Sequence, residues 1–139
     1  MEPLLTYRGT VYPWHCDHVG HMNVMWYVGK FDEATWHLLH AFGVSPAYLR
    51  ATNRGMAAVD QHISYLRELR AGDIVTIRST LLEFKLKSTT FSHEMTNDET
   101  GETAARTTIK AVHLDVVARK SCAFEDAIAV KARALLAGA

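Results

Sequence analysis

The order of helix-period and strand-period segments predicts an α+β fold: a five-stranded antiparallel sheet wrapped around one long central helix. Three observations carry this. From Val24 to Phe42 the apolar residues recur with a helical period. Four strand-like segments joined by short turns follow. At 139 residues the chain is long enough for one real core, and residues 1–139 are expected to form a single domain.

Each element has its own warrant. Thr6 to Pro13 reads as a strand through Tyr7, Val11 and Tyr12. Asn23 is suited to cap the helix that follows. In that helix Val24, Tyr27, Val28, Phe31, Ala34, Thr35, Leu38, Ala41 and Phe42 form a wide apolar stripe. Trp26 and Trp36 widen it, and Lys30, Glu33, His37 and His40 form the opposite polar stripe. The helix is therefore expected to be mostly buried. Gly43 fits the position after its end. Ser45-Pro46 reads as a cap and first-turn proline of a short second helix near Ala47 to Arg50. Met56 to Leu66, Asp73 to Phe84, Thr89 to Asn97 and Thr103 to Val117 read as strands. Phe91, His93 and Met95 share one face of their strand. Ala71-Gly72-Asp73 and Asn97 to Gly101 supply turns. Residues after Phe124 return to helix-forming types.

Composition narrows the function. Fifteen basic and fifteen acidic residues cancel, so no broad field draws nucleic acid or anionic membrane. Two cysteines, Cys16 and Cys122, make no disulfide framework. No signal-peptide pattern opens the chain, and no uncharged run approaches the ~20 residues of a membrane span. A cytoplasmic location is the expectation.

The chemistry concentrates in Trp14-His15-Cys16-Asp17-His18-Val19-Gly20-His21-Met22-Asn23, directly before the long helix. A helix start offers unpaired N–H groups and the positive end of a dipole. A carboxylate three residues before a glycine can there face a carbonyl polarised by amides. That suits hydrolysis of an ester or thioester without metal or cofactor. His15, Cys16, Asp17, His18 and His21 also raise a metal site, but neighbours in an extended segment point to opposite faces and no second ligand cluster exists. No metal is expected, and Cys16 is read as a small buried hydrophobe.

The pattern Asp17, Gly20, His21, Asn23, Tyr27, or D-x-x-G-H-x-N-x-x-x-Y, resembles hot-dog fold acyl-CoA thioesterases of the 4-hydroxybenzoyl-CoA thioesterase family. Ile63-Ser64-Tyr65-Leu66, Gly72-Asp73 and Lys87-Ser88 support it. The resemblance implies a homodimer or homotetramer with sites at the subunit interface, an acyl-CoA substrate and no cofactor. It implies Asp17 as nucleophile or general base. Amides near Gly20, His21 and Met22 would polarise the thioester carbonyl. Other branches use a glutamate within the helix, where Glu33 stands; Asp17 is favoured. Asn23 is read as a cap that also serves the substrate, and Tyr27 as core or acyl-pocket lining. His62 and Ser64 are expected on one strand face with Asp60 and Ala58, bordering the site. Lys87, Ser88 and Thr89, with Lys85, are candidates for coenzyme A phosphates. Two alternatives stand beside this. One is a hydratase on the same fold pairing Asp17 with His21. The other is an acyl-CoA sensor without turnover, although the first strand begins too early to leave room for the DNA-binding segment such regulators normally carry.

Overall fold

A computed structural model describes residues 2–138. Strand β1 (Leu4–Thr10) leads through a short 3-10 turn (Pro13–His15) and a loop to helix α1 (Val24–Ala41). Helix α2 (Pro46–Thr52) precedes strands β2 (Arg54–Tyr65), β3 (Ile74–Phe84), β4 (Ser88–Asn97) and β5 (Thr103–Asp115). A two-residue strand β6 (Lys120–Ser121) and helix α3 (Asp126–Leu135) complete the chain. The sheet order is β1-β3-β4-β5-β2, every pairing is antiparallel, and β6 adds to β5. This is the expected wrapped sheet with a minor sixth strand.

The caps fall where the sequence puts them. The Asn23 side chain accepts the Met25 amide, and the Ser45 side chain accepts the Tyr48 amide. The first strand differs from expectation: it ends at Thr10, and Pro13 opens the 3-10 turn instead of closing the strand. A proline has no ladder N–H, and its fixed φ suits the first position of a turn.

Helix α1 also differs. Its buried line is Tyr27, Phe31, Ala34, Leu38 and Leu39, which the concave sheet face covers. Val24, Met25, Val28 and Trp36 stay exposed, Met25 at 62%. One sheet covers only one side of a helix, so the apolar residues facing beyond the β2 edge find no partner within the chain. Lys30, placed by sequence on the polar stripe, is instead buried at 2% exposure.

Two apolar clusters fill the space between α1 and the sheet. One surrounds Phe31, Val75, Ile77 and Met95 near the helix start. The other surrounds Leu38, Phe42, Phe91 and Phe124 near its end, closed by Ile128 and Ala132 of α3. A buried polar chain crosses the first cluster. Thr6 Oγ1 lies 2.7 Å from Ser79 Oγ, Ser79 Oγ lies 2.5 Å from His93 Nδ1, and His93 Nε2 lies 2.9 Å from Thr35 Oγ1. Thr35 donates its hydroxyl to Phe31 O. His93 therefore donates from Nε2 and accepts at Nδ1, a neutral ring linking β4 to α1.

Candidate active site

The loop before α1 closes on itself. The Asp17 amide donates to His21 O at 3.1 Å, and the Asn23 amide donates to His15 O at 2.8 Å. Cys16 and Met22 thereby face each other as an antiparallel bridge, leaving Asp17 to His21 as the tip. The Gly20 amide donates to Asp17 O at 3.0 Å. Gly20 makes this turn at φ +98°, a conformation that a Cβ disfavours.

Asp17 is held from two directions. Its Oδ1 accepts the Val19 amide at 2.9 Å, and its Oδ2 accepts Asn23 Nδ2 at 2.8 Å. The Asn23 donor, then the Val19 amide, hold its carboxyl below the usual aspartate range. Asp17 is thus an ionised, partly exposed carboxylate with defined orientation. Asn23 does two jobs at once, since its Oδ1 accepts the Met25 amide at 2.9 Å while its Nδ2 holds Asp17. The sequence supports the cap; the clamp on Asp17 depends on the loop folding back.

The three amides expected to polarise a carbonyl separate into two groups. Gly20 N–H is engaged by Asp17 O, and Met22 N–H donates to Leu69 O at 2.7 Å. His21 N–H has no hydrogen-bond partner among the described residues. Neither has Val24 N–H, at the first helical position, which sequence reading missed. The signal was available, because the first amides of every helix lack intrahelical acceptors.

A cleft of about 260 Å³ opens beside these amides, lined by His21, Met22, Val24, Tyr27 and Tyr65 with Glu68 at the rim. Tyr27 and Tyr65 meet edge to face at 5.2 Å. Tyr27 donates its hydroxyl to Arg67 O at 3.1 Å, and burial pushes its pKa up to about 12. It is a neutral wall. His21 Nε2 lies 3.0 Å from Glu68 Oε2, so its ring is turned to Glu68 and makes no bond to Asp17.

Comparison with known proteins follows the same line. A family model described as the thioesterase-like superfamily matches residues 11–132. The chain belongs to the thioesterase-like superfamily. It is 30% identical over 126 residues to an L-carnitine dehydrogenase/betainyl-CoA thioesterase of Agrobacterium fabrum, covering 91% of this chain and 26% of that protein. This chain thus spans about a quarter of that relative's length. A betainyl-CoA thioesterase of Pseudomonas aeruginosa is 25% identical, covering 96% of this chain and 84% of the relative. Among solved structures, a Staphylococcus aureus protein in complex with CoA superposes with TM-score 0.90 at 20% identity. It covers 97% of this chain and 85% of its own and supports the hot-dog fold.

Within this superfamily fold, the remaining expected residues part company. His62 does not share a face with Ala58. A bulge at Val59 shifts the register between Ala58 and Asp60, so Ala58 pairs with buried Ala111 while Asp60 pairs with exposed Lys110. An extra residue reverses the alternation beyond it. His62, opposite Thr108, therefore lies on the outer face, away from α1.

Thr89 is buried, and its hydroxyl donates to Glu83 O at 2.9 Å; it is not free for a phosphate. Lys87 and Ser88 stand at the β3–β4 turn. β3 runs from beside the Asp17 loop to that turn, about 30 Å at ~3.3 Å per residue. Asp17 and Lys87 thus occupy opposite ends of one chain. The other candidate ligands of the loop also diverge: His15 Nδ1 accepts the Tyr12 amide at 3.0 Å, and Cys16 Sγ turns toward Tyr12 O at 3.9 Å. Glu33 is exposed on the side of α1 away from the cleft.

Proposed function

We propose that this chain hydrolyses acyl-CoA thioesters to free acid and coenzyme A. Asp17 attacks the thioester carbonyl, or deprotonates the water that does. In the first route the Asp17 oxygen bonds to the carbonyl carbon, the C–S bond breaks, and water then cleaves the mixed anhydride. In the second the water oxygen bonds directly, and its proton passes through Asp17 to the departing thiolate. The carrying observation is the ionised Asp17 carboxylate fixed by Asn23 Nδ2 at 2.8 Å, in the same loop and helix start that leave the His21 and Val24 amides unpartnered among the described residues. His21 and Val24 N–H are the donors we assign to the developing oxyanion. Gly20 shapes the loop, and Met22 serves as a wall. Asn23 positions Asp17, and Tyr27 lines the acyl side.

The names of the relatives support thioester hydrolysis, and two of them make betainyl-CoA the first substrate to try. The bond between His21 and Glu68 disfavours the hydratase reading, which needs His21 beside Asp17. We further propose a homodimer or homotetramer. β2 is an uncovered sheet edge twelve residues long, next to the exposed Val24, Met25 and Val28 of α1. A second copy there would complete the cleft and bring its own Lys87 and Ser88 to the coenzyme A phosphates in place of those of the first. Cys16 and Cys122 are both free thiols, which agrees with a reducing cytoplasm. No helix among the described residues is long and apolar enough to cross a membrane.

The test is release of coenzyme A thiol from a panel of short, long, aromatic and betainyl thioesters, with Asp17→Asn alongside. Substrate turnover by the native chain and its loss in the variant support the reading. Equal turnover by both removes Asp17 from the mechanism.

A further inference from the structure

The side of α1 turned away from the cleft lined by His21, Val24 and Tyr27 carries a second concavity. Trp26, Lys30 and Glu33 follow one another along that side, and the end of β1 and the 3-10 turn face them across a bowl of about 460 Å³. Its walls are aromatic. Tyr12 and Trp14 stack at 4.5 Å with 6° between planes, and His15 sits against Trp26 at 4.5 Å. Trp14 is 67% exposed, although it is the largest side chain on the turn.

The floor holds the unusual group. The Lys30 ammonium donates to Tyr7 Oη at 2.8 Å and to Thr10 O at 3.5 Å, and lies 5.1 Å from the Tyr7 ring centre. The Tyr7 phenol reaches this position because it lies across Gly9, where any Cβ would overlap it. An ammonium carries three donors. Lys30 has two neutral acceptors and no carboxylate at ion-pair distance among the described residues. Buried charges ordinarily have an opposite charge beside them.

A second donor lines the same bowl. His15 accepts the Tyr12 amide at Nδ1, so a neutral ring carries its proton on Nε2. That N–H bonds to no protein acceptor among the described residues and is not a buried unpaired atom, so it is open to solvent. A cation without a counter-charge and an N–H without a protein acceptor thus line a space with flat apolar walls. Glu33, exposed at the rim, is the only carboxylate lining it among the described residues.

We propose that this bowl is a binding site for an arylcarboxylate. The carboxylate accepts hydrogen bonds from the Lys30 ammonium and His15 Nε2–H, and the ring packs against Trp14 and Trp26. A cationic ligand meets the ammonium already in place. A neutral arene leaves that ammonium unpaired. A polyanion meets Glu33. A single negative charge on a planar ring matches all three constraints. The site is independent of hydrolysis at Asp17.

The test titrates the full chain with benzoate and 1-naphthoate and follows the three indole N–H resonances. Trp14 and Trp26 are expected to shift saturably, and Trp36, outside the bowl, to stay in place. Asp17→Asn should bind unchanged, which separates this site from the proposed hydrolysis. Lys30→Met should weaken binding about tenfold or more, the loss of one charged hydrogen bond. Trp14→Ala, an exposed change that leaves the core intact, should weaken it severalfold and serves if the Lys30 variant does not fold. Benzyl alcohol and benzyltrimethylammonium should give no saturable shift. Absence of saturation with either arylcarboxylate overturns the proposal. So does equal affinity in folded Lys30→Met or, where that variant does not fold, in Trp14→Ala. Binding of benzyltrimethylammonium with similar affinity overturns it as well.

Discussion

At Asp17 the deciding contacts are two hydrogen bonds to its carboxylate oxygens. Asp17→Asn keeps size and shape, so its melting temperature should stay close to that of the native chain. Thioester turnover should fall by about 10² or more, the scale on which a general base contributes. Asn23→Ala should act twice. Loss of the cap costs about 1 kcal/mol of stability. Loss of the Nδ2 donor removes the largest cause that holds the Asp17 carboxyl down. The acid limb of the pH–rate profile should then move to higher pH, because Asp17 must be ionised to act and would take up its proton earlier on acidification. An unmoved limb with normal turnover would separate Asn23 from the carboxylate. The motif at this scale was legible as residue types and spacing. Which amides remain free was not, because Gly20 and Met22 spend theirs on Asp17 O and Leu69 O, and Leu69 is far along the chain.

At the scale of elements, His93 ties β4 to α1 through Thr35 and to β3 through Ser79. Burial lowers its pKa to about 4 from 6.5. The unfolded chain takes up a proton near pH 6.5, whereas the folded chain refuses it until about 4. Stability should therefore be level above pH 6.5, fall as the pH drops toward 4, and level again below. The loss from His93 is on the order of 3 kcal/mol, taking 1.36 kcal/mol per pKa unit. His15 and His113, also lowered first by burial, tilt stability the same way. Urea midpoints at several pH values should show this slope, and His93→Gln should flatten it in part. A His93→Gln slope equal to the native one would remove His93 as its cause. Strand alternation already placed His93 on the inward face with Phe91 and Met95. It did not reveal the Ser79 and Thr35 partners, which come from two other elements. The same limit explains His62. Alternation is reliable until a residue is inserted, and the bulge at Val59 has no local marker such as glycine or proline.

For the whole molecule, the exposed apolar side of α1 and the free β2 edge are the largest unfinished features. If a second copy covers them, Val28→Glu should shift the chain to monomer in sedimentation, because a carboxylate would have to be buried there without a partner. Thioester turnover should fall with dissociation if the cleft is completed across the interface. A native chain that sediments as a monomer at high concentration would refute the assembly.

Local information determined a great deal. Period and caps specified nearly every element, and the spacing of Asp17, Gly20, His21 and Asn23 marked the loop, since both depend on neighbours within a few residues. The tertiary structure alone decided which groups are available to chemistry. Lys30 left the polar stripe for the floor of an aromatic bowl, and Thr89 was enclosed. His62 was turned outward, and His21 was drawn to Glu68. Availability depends on what distant segments bring to a side chain or amide, and residue spacing does not encode it.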